Sequence, residues 1–246
     1  MKLLTCAIYA LNLATLTACG GGGGGVGSTG ASVTTSFSGK VIDGYIKNAK
    51  VCLDLNSNLK CDDGPGEEEE KYTKLSGDGG SYSFTYTGTR DVAALHIIAE
   101  ATSESMDEDD GGKTFAEAGR NSVSLLTPAN APETITPLTT LVSNQQISAK
   151  EEGKTLTVAE AESRVRVATN LPTNLSLTGN DYKDSSKGNS DIAVIAKAVT
   201  LALADTQSTI KSNTEFTAAA KDSGKVSSTE AIKQATTSVL SELKKI

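Results

Sequence analysis

Short apolar runs separated by polar clusters fill the first half of the chain. Between residues 37 and 128, the runs are rich in Val, Ile, Tyr, Phe and Thr, and clusters of Gly, Asp and Ser divide them. This spacing is typical of strands in an antiparallel β-sandwich. The predicted strands are FSGKVIDG, AKVCLDL, KYTKL, GSYSFTYTG, AALHIIAEAT and NSVSLLT.

Two of these stretches indicate how the strands are buried. In GSYSFTYTG, strict alternation predicts an aromatic face and a hydroxyl face, because successive strand side chains point to opposite sides. The aromatic face consists of Tyr82, Phe84 and Tyr86, and the hydroxyl face consists of Ser81, Ser83 and Thr85. The stretch ALHIIAEA is apolar almost throughout, which predicts a strand in the interior of a sheet.

Apolar residues recur at helical spacing after Pro128. Thr136 is a predicted N-cap followed by Pro137, and Thr157 with Glu160 forms a predicted capping box. The apolar stripes predict four amphipathic helices, which pack most simply as a bundle. The stripe positions are Leu138, Leu141 and Val142; Val158, Ala161, Val165 and Ala168; Ile192, Ile195, Val199, Leu203 and Ile210; and Ile232, Val239, Leu243 and Ile246. The polar connection at residues 170–190 is interpreted as a solvated linker, and a functional loop is the alternative.

The N-terminus has the composition of an export signal. It has a basic start at Lys2, an apolar run over residues 3–16 and small residues before Cys19. The apolar run is shorter than the roughly 20 residues that span a membrane. The last four residues, LTAC, resemble the lipobox of bacterial lipoproteins, in which the signal is cut before the cysteine and the sulfur carries a diacylglycerol. An ordinary signal peptide with a chance cysteine is the alternative.

The lipobox resemblance implies that Cys19 is lipidated and anchors the protein to a membrane. Because Gly20 rather than aspartate follows the cysteine, the resemblance implies the outer membrane. The glycine-rich residues after Cys19 cannot bury a core and predict a flexible tether. The expected α+β organisation is a signal peptide at 1–18, a tether at 19–35, a β-sandwich at 36–130 and a helical domain at 131–246.

The predicted export signal determines which cysteines are available to form a disulfide. Of the four cysteines, Cys6 leaves with the signal and Cys19 carries the lipid, so Cys52 and Cys61 remain in the folded part. An oxidising compartment makes a disulfide between them the expected state. A catalytic redox pair normally has the closer C-x-x-C spacing. The net charge of −7 argues against nucleic acid as a partner.

The order of the strand pieces resembles the carboxypeptidase-regulatory-like, or transthyretin-like, sandwich. The matching pieces are GKV at residues 39–41, NAKV at residues 48–51 and the segment at residues 76–84, in which Gly80, Tyr82 and Phe84 carry the last element. The resemblance covers about ninety residues and implies a binding or structural module rather than a catalytic one. A sandwich fold alone implies no chemistry.

The stretch VCLDLNSNLKCDDGPGEEEE concentrates acidic and amide side chains between the two cysteines and beyond. It resembles the calcium loops of B-type repeats in bacterial surface adhesins, which read D-x-N-x-N-G-x-x-D-x-G-E. The resemblance implies a structural Ca²⁺ held by oxygen ligands. The implied ligands are Asp54, Asn56, Asn58, Lys60 through its carbonyl, Asp62 and Glu67, with Asp63 as a substitute for Glu67. An unoccupied acidic loop is the alternative, because Leu59 replaces the glycine and Glu67 comes two residues late.

Two other signals have ordinary structural interpretations. The run SMDEDDGG at residues 105–112 is interpreted as a solvated loop, because contiguous acidic side chains cannot all point inward; part of a second ion site is the alternative. His96 is the single histidine, and no G-x-S-x-G motif supplies a nucleophile for it, so it is interpreted as a packed strand residue.

The combined expectation is a non-enzymatic, surface-exposed outer-membrane lipoprotein. Its Ca²⁺-braced module would act in adhesion, scaffolding or assembly with another exported protein or polymer. A module that binds extracellular carbohydrate, or an accessory subunit of an exported enzyme, is the alternative. A carbohydrate site would need exposed aromatic side chains. A catalytic role would need polar groups that converge on a cleft between the two halves.

Overall fold

Strands precede helices along the chain, and together they form a mixed α+β fold. The fold is described from a computed structural model, which covers residues 32–64, 67–184, 190–212 and 236–238. These residues all belong to one compact unit, Ser32–Ile246. The expected signal peptide, Cys19 and most of the expected tether lie outside the described residues. The first strand begins at Val33, inside the segment expected to be tether.

Nine strands and three α-helices make up the described part. The strands are β1 (Val33–Val41), β2 (Ile46–Lys47), β3 (Lys50–Asp54), β4 (Lys74–Leu75), β5 (Ser81–Gly88), β6 (His96–Ala101), β7 (Met106–Asp107), β8 (Val123–Pro128) and β9 (Thr134–Ile135). The helices are α1 (Pro137–Glu151), α2 (Val158–Thr169) and α3 (Ser190–Ser212). Residues 236–238 are also helical, and the rest of the predicted fourth helix lies outside the described residues.

The strands form two larger sheets and one two-stranded ribbon. In the first sheet, β1 lies between β5, which is antiparallel to it, and β9, which is parallel to it. The second sheet has the order β4-β3-β6-β8, and all its neighbours are antiparallel. The ribbon pairs β2 with β7. The stretch ALHIIAEA therefore supplies an interior strand, β6, as its continuous apolar character predicts.

The buried faces of both larger sheets contribute to one hydrophobic cluster. Tyr82, Phe84 and Tyr86 are buried while the hydroxyl face of β5 is exposed, which confirms the predicted alternation. Phe37 of β1 packs against Phe84, with ring centroids 5.3 Å apart. The buried stripe residues of the helices, including Leu141, belong to the same cluster.

Strands β3 and β6 are buried on both faces. Val51 and Ile97 face the main cluster, whereas Cys52 and Ile98 face a second, smaller cluster on the other side. Leu126 of β8 completes this second cluster, and α1 packs over it. Two buried faces explain why these strands are apolar rather than alternating.

The helix starts follow the sequence signals. Thr136 accepts a hydrogen bond from the Thr139 backbone N–H at 3.0 Å, and Pro137 opens α1. Thr157 and Glu160 form the predicted capping box of α2. These bonds satisfy backbone N–H groups that have no partner within the helix. Val199 and Leu203 of α3 are buried as predicted, and the side chain of Ile210 lies outside the described residues.

Two expectations about polar segments are wrong. Most of KYTKL is not a strand, because the 3-10 helix Glu68–Tyr72 precedes a strand of two residues. The connection after α2 is not a solvated linker over residues 170–184. Tyr182 in this connection is buried and donates a hydrogen bond to the Ile42 carbonyl at 2.9 Å. The Glu162 carboxylate of α2 accepts from the backbone N–H of Leu177 at 3.0 Å, which fixes the segment.

Candidate functional site

A disulfide closes the loop that follows β3. Cys52 and Cys61 are bonded, and their Cα atoms are 5.6 Å apart, a usual separation for a disulfide. Both residues are buried in the second cluster beside Ile98 and Leu126. The bond confirms the pairing expected from export. The closed segment contains the last strand residue, Asp54, and Asp62 follows it directly.

The Asp54 carboxylate binds the turn of the loop from inside. One oxygen accepts from the Asn58 backbone N–H at 3.1 Å and the other from the Leu59 backbone N–H at 3.1 Å. Asp54 is almost fully buried. Burial raises the pKa of Asp54 to about 6, although these backbone N–H groups oppose the shift by stabilising the charged form.

The amide side chains of the loop organise its outer rim. Asn56 and Asn58 both donate to one Asp62 carboxylate oxygen, at 2.8 and 2.5 Å. The other Asp62 oxygen lies 3.3 Å from the Lys60 ammonium. Burial opposes ionisation of Asp62, but the two amides and Lys60 together lower its pKa. Hydrogen bonds therefore link four of the expected ligands, Asp54, Asn56, Asn58 and Asp62, within this loop.

The Glu69 carboxylate binds both ends of the loop. Glu69 was not among the expected ligands. Its oxygens accept from the backbone N–H groups of Leu55 at 2.6 Å, Asn56 at 3.3 Å and Asp62 at 3.1 Å. Glu69 is buried in the 3-10 helix Glu68–Tyr72. Burial raises its pKa to about 7, the backbone N–H groups oppose that shift, and the nearby Asp54 charge adds to it.

The expected ligand Glu67 is exposed and precedes this 3-10 helix. Its backbone N–H donates to the Gly64 carbonyl at 2.9 Å. The substitute ligand Asp63 forms an ion pair with Lys50 at 2.8 Å. Four consecutive glutamates begin at Glu67, and the sequence pattern does not tell which one turns inward. The helical turn decides this, because it directs the third of them at the loop.

Two residues of the loop have left-handed backbone conformations. Ser57 has φ 59° and Leu59 has φ 57°. Leu59 stands where the calcium loops have glycine, so the chain makes the expected sharp turn with an L-residue, at a steric cost. The Leu59 side chain is buried in the second cluster beside the disulfide. Packing of this side chain offsets part of that cost.

The loop interior is negatively charged and has no cationic side chain of its own. In the described part of the chain, neither Asp54 nor Glu69 has a Lys or Arg within ion-pair distance. The two carboxylates receive only backbone N–H groups, which are neutral dipoles. No group of three or more His, Cys, Asp or Glu side chains in the described ranges has the spacing of a metal centre. An ion in the loop would therefore need amide and carbonyl oxygens as further ligands.

A second set of buried carboxylates surrounds Arg120. The guanidinium forms ion pairs with Asp43, Asp107 and Asp110, the last at 3.1 Å. Asp107 is buried and also accepts from the Gly44 backbone N–H at 3.2 Å. The interpretation of this acidic run as a solvated loop is therefore wrong for Asp107. The sequence analysis missed Arg120 as the cationic partner of these aspartates. It lies in the loop between the acidic run at residues 105–112 and β8.

His96 occupies the first position of β6, as a strand residue should. Its Nε2 atom is buried and has no hydrogen-bond partner among the described residues. Burial and the nearby Lys150 ammonium lower the pKa of His96 to about 4. The imidazole is therefore neutral at physiological pH.

Comparison with models of protein families, with curated proteins and with solved structures found no match. Within the residues that the structure describes, none of the helices has the length and apolar character needed to span a membrane.

Proposed function

We propose that this chain is a non-enzymatic, exported lipoprotein whose disulfide loop binds a structural Ca²⁺. The observation that carries the calcium proposal is the pair Asp54 and Glu69. Two buried carboxylates face the same closed loop and lack a cationic side chain among the described residues. A hard cation would neutralise them, and the oxygen-only surroundings favour Ca²⁺ over zinc or copper.

The neighbouring side chains suit this ion. Asp62 lies in the same loop, and Lys60 can contribute its carbonyl. The amide oxygens of Asn56 and Asn58 accept from the backbone N–H groups of Asn58 and Lys60, each at 3.0 Å, and each keeps a second lone pair for an ion. Glu69 takes the role that the resemblance gave to Glu67. The disulfide closes the loop before the ion binds, so less chain entropy is lost on binding.

The fold supports a structural or binding role for the module. The two larger sheets share one hydrophobic cluster, which supports the proposed β-sandwich, and the helices after residue 131 would form the proposed bundle beside it. With Cys19 lipidated, the tether would hold the module at the outer membrane. There it would act in adhesion, scaffolding or assembly with an exported protein or polymer.

The carbohydrate-binding alternative receives less support. Tyr82, Tyr86 and Tyr182 are buried, and Tyr45 and Tyr72 are half-buried. The described residues thus present no fully exposed aromatic ring on which a sugar could stack. A glycan panel that gives saturable binding would reverse this preference.

The calcium proposal is tested by thermal unfolding in Ca²⁺ and in chelator. Extracellular calcium modules bind with Kd of about 10⁻⁴–10⁻³ M. At a Ca²⁺ concentration of 100 Kd, binding contributes about 2.7 kcal/mol, so the melting temperature should rise by several degrees. Asp54→Asn and Glu69→Gln should abolish the rise. Glu67→Gln is the matched control and should keep it.

Two results would reject the calcium proposal or its ligand set. Equal melting temperatures in Ca²⁺ and in chelator, with no ion in elemental analysis, would leave the loop as an acidic surface. Loss of the rise in Glu67→Gln but not in Glu69→Gln would restore the original ligand set.

The anchor is tested separately by intact-mass analysis of protein extracted from membranes. Lipidation predicts a chain that begins at Cys19 and carries the added mass of acyl groups. Cys19→Ser should abolish the modification and release the protein from the membrane fraction. An unmodified wild-type protein in the soluble fraction would reject the anchor.

A further inference from the structure

Two cavities lie where the C-terminal half of α1 passes the start of β6. Their volumes are about 310 and 230 Å³. Both are lined by Ala94, His96, Ile147 and Lys150, and the larger one also reaches Leu95 and Leu156. Small-molecule sites in proteins usually measure about 300–1,000 Å³, so the larger cavity falls at the lower end of that range.

The His96 imidazole faces these cavities. Side chains alternate along β6, so His96 lies on the same face of the strand as Ile98. Ile98 belongs to the cluster against which Ile147 of α1 packs, so this face is the one that α1 covers. The Nε2 atom is buried there and has no hydrogen-bond partner in the described part of the chain. Buried polar atoms in native proteins nearly always have a partner, so this atom indicates a ligand.

The charge at the cavity indicates the kind of ligand. Lys150 lies at the rim, is exposed, and has no acidic partner within ion-pair distance among the described residues. Lys154, which also lines the larger cavity, is held instead by Glu152 at 2.7 Å. The neutral imidazole of His96 can donate from one ring nitrogen. Asp91 lines the larger cavity and Glu151 the smaller one, and the Asp91 carboxylate accepts from the Ala93 backbone N–H at 3.1 Å. In the larger cavity, the His96 donor and the Lys150 ammonium together favour an anionic group.

We propose that the larger of the two cavities binds a small monocarboxylate with an apolar tail. The carboxylate accepts a hydrogen bond from Nε2–H of His96 and forms an ion pair with the Lys150 ammonium. The tail packs against Leu95, Ile147 and Leu156. The smaller cavity also contacts Ser57 and Leu59 of the disulfide loop, but the loop contributes no lining residue to the larger cavity. The carboxylate proposal and the calcium proposal can therefore fail independently.

The test follows the His96 resonance by NMR, because His96 is the only histidine in the chain. The full chain is titrated in Ca²⁺-containing buffer with hexanoate, hexan-1-ol and hexylamine. Hexanoate should shift the His96 ring proton saturably. Hexan-1-ol should bind about tenfold more weakly, and hexylamine should give no saturable shift, because it brings a second cation to Lys150.

Two variants assign the effect to this cavity. Lys150→Gln should weaken hexanoate binding about fivefold or more, whereas Lys113→Gln, at an exposed lysine that does not line the cavity, should not change it. Ala94→Phe, at an exposed position that lines both cavities, should block binding.

Three results would overturn the proposal. These are a His96 resonance that hexanoate does not move even at tens of millimolar, binding of hexylamine that equals that of hexanoate, and unchanged hexanoate affinity in both Lys150→Gln and Ala94→Phe.

Discussion

The molecule buries carboxylates in two regions and neutralises them in different ways. Around Arg120, the guanidinium lies within the chain and forms ion pairs with Asp43 and Asp107, both of which are buried. In the disulfide loop, Asp54 and Glu69 are equally buried but receive only backbone N–H groups. The first region contains its own cation, whereas the second does not.

The two regions differ in what opposes the rise in carboxyl pKa that burial causes. Around Arg120, burial still raises the pKa of Asp43, but Thr200 and the guanidinium lower it. In the loop, burial dominates, and the pKa values of Asp54 and Glu69 rise to about 6 and about 7. N–H groups satisfy hydrogen bonding without cancelling net charge. A cation from solution would complete the loop in the way that Arg120 completes the other region.

Removal of the internal cation should have the largest effect. Arg120→Met leaves Asp43 and Asp107 buried without a partner, so the free energy of unfolding should fall by about 3–5 kcal/mol. Urea unfolding measures the change. Arg90→Met is the control, because its ion pair with Glu68 is largely exposed, and it should cost less than about 1 kcal/mol. Similar losses in the two variants would mean that the buried cluster has no special role.

Loss of the disulfide should have the next largest effect. The double variant Cys52→Ala with Cys61→Ala should lower the free energy of unfolding by about 2.5–3 kcal/mol, because the closed loop no longer restricts the unfolded chain. Ca²⁺ should also stabilise this variant less, since its loop is no longer pre-ordered. A reducing agent should destabilise the wild type by a similar amount and leave the variant unchanged. An insensitive wild type would contradict the role of the bond.

The pH dependence in chelator should distinguish the two regions. Asp54 and Glu69 have raised pKa values when folded, so they stabilise the fold at low pH, and this contribution is lost as pH rises from about 4 to about 7. Between pH 5 and pH 8 we expect a loss of about 4 kcal/mol from this pair.

The variant Glu69→Gln isolates this contribution, because other groups titrate in the same range. Unfolding in urea across the pH range should show a smaller decline in the variant than in the wild type. Saturating Ca²⁺ should reduce the wild-type decline, since the ion holds both carboxylates ionised. Identical pH profiles for the two proteins would show that Glu69 does not titrate as described.

The smallest expected effect concerns the strained turn of the loop. Ser57 is exposed and has φ 59°, a conformation that glycine adopts without steric cost. Ser57→Gly should therefore stabilise the fold by up to about 1 kcal/mol, measured by urea unfolding. Ser83→Gly is the control in an exposed, extended position of β5, and it should destabilise. A loss of stability in Ser57→Gly would show that the serine makes an interaction stronger than the strain.

Much of the fold was predictable because its signals are local. The alternation around Phe84, the caps at Thr136 and Thr157, and the apolar run of β6 each determine a structure through neighbouring residues. The short strands β2, β7 and β9 were missed. Each has two residues and exists only because a distant strand lies beside it.

The candidate site was predictable in part for the same reason. Asp54, Asn56, Asn58 and Asp62 come together through spacing within one loop, and the disulfide was expected from the compartment. Glu69 was not predictable. It is the third of four glutamates, and only the 3-10 helix and the packing of the loop on the second sheet select it.

The sequence by itself determined the longer strands, the three described α-helices and the caps of α1 and α2, because periodicity and short-range hydrogen bonds act between neighbours along the chain. The cysteine pairing followed from the export signal and the cysteine count. Tertiary structure alone decided which charges are buried and what neutralises them. It placed Arg120 between three aspartates, turned Glu69 into the loop and enclosed the His96 Nε2 beside α1. The energy of a charge depends on everything that surrounds it in space, and distant parts of the chain supply those surroundings.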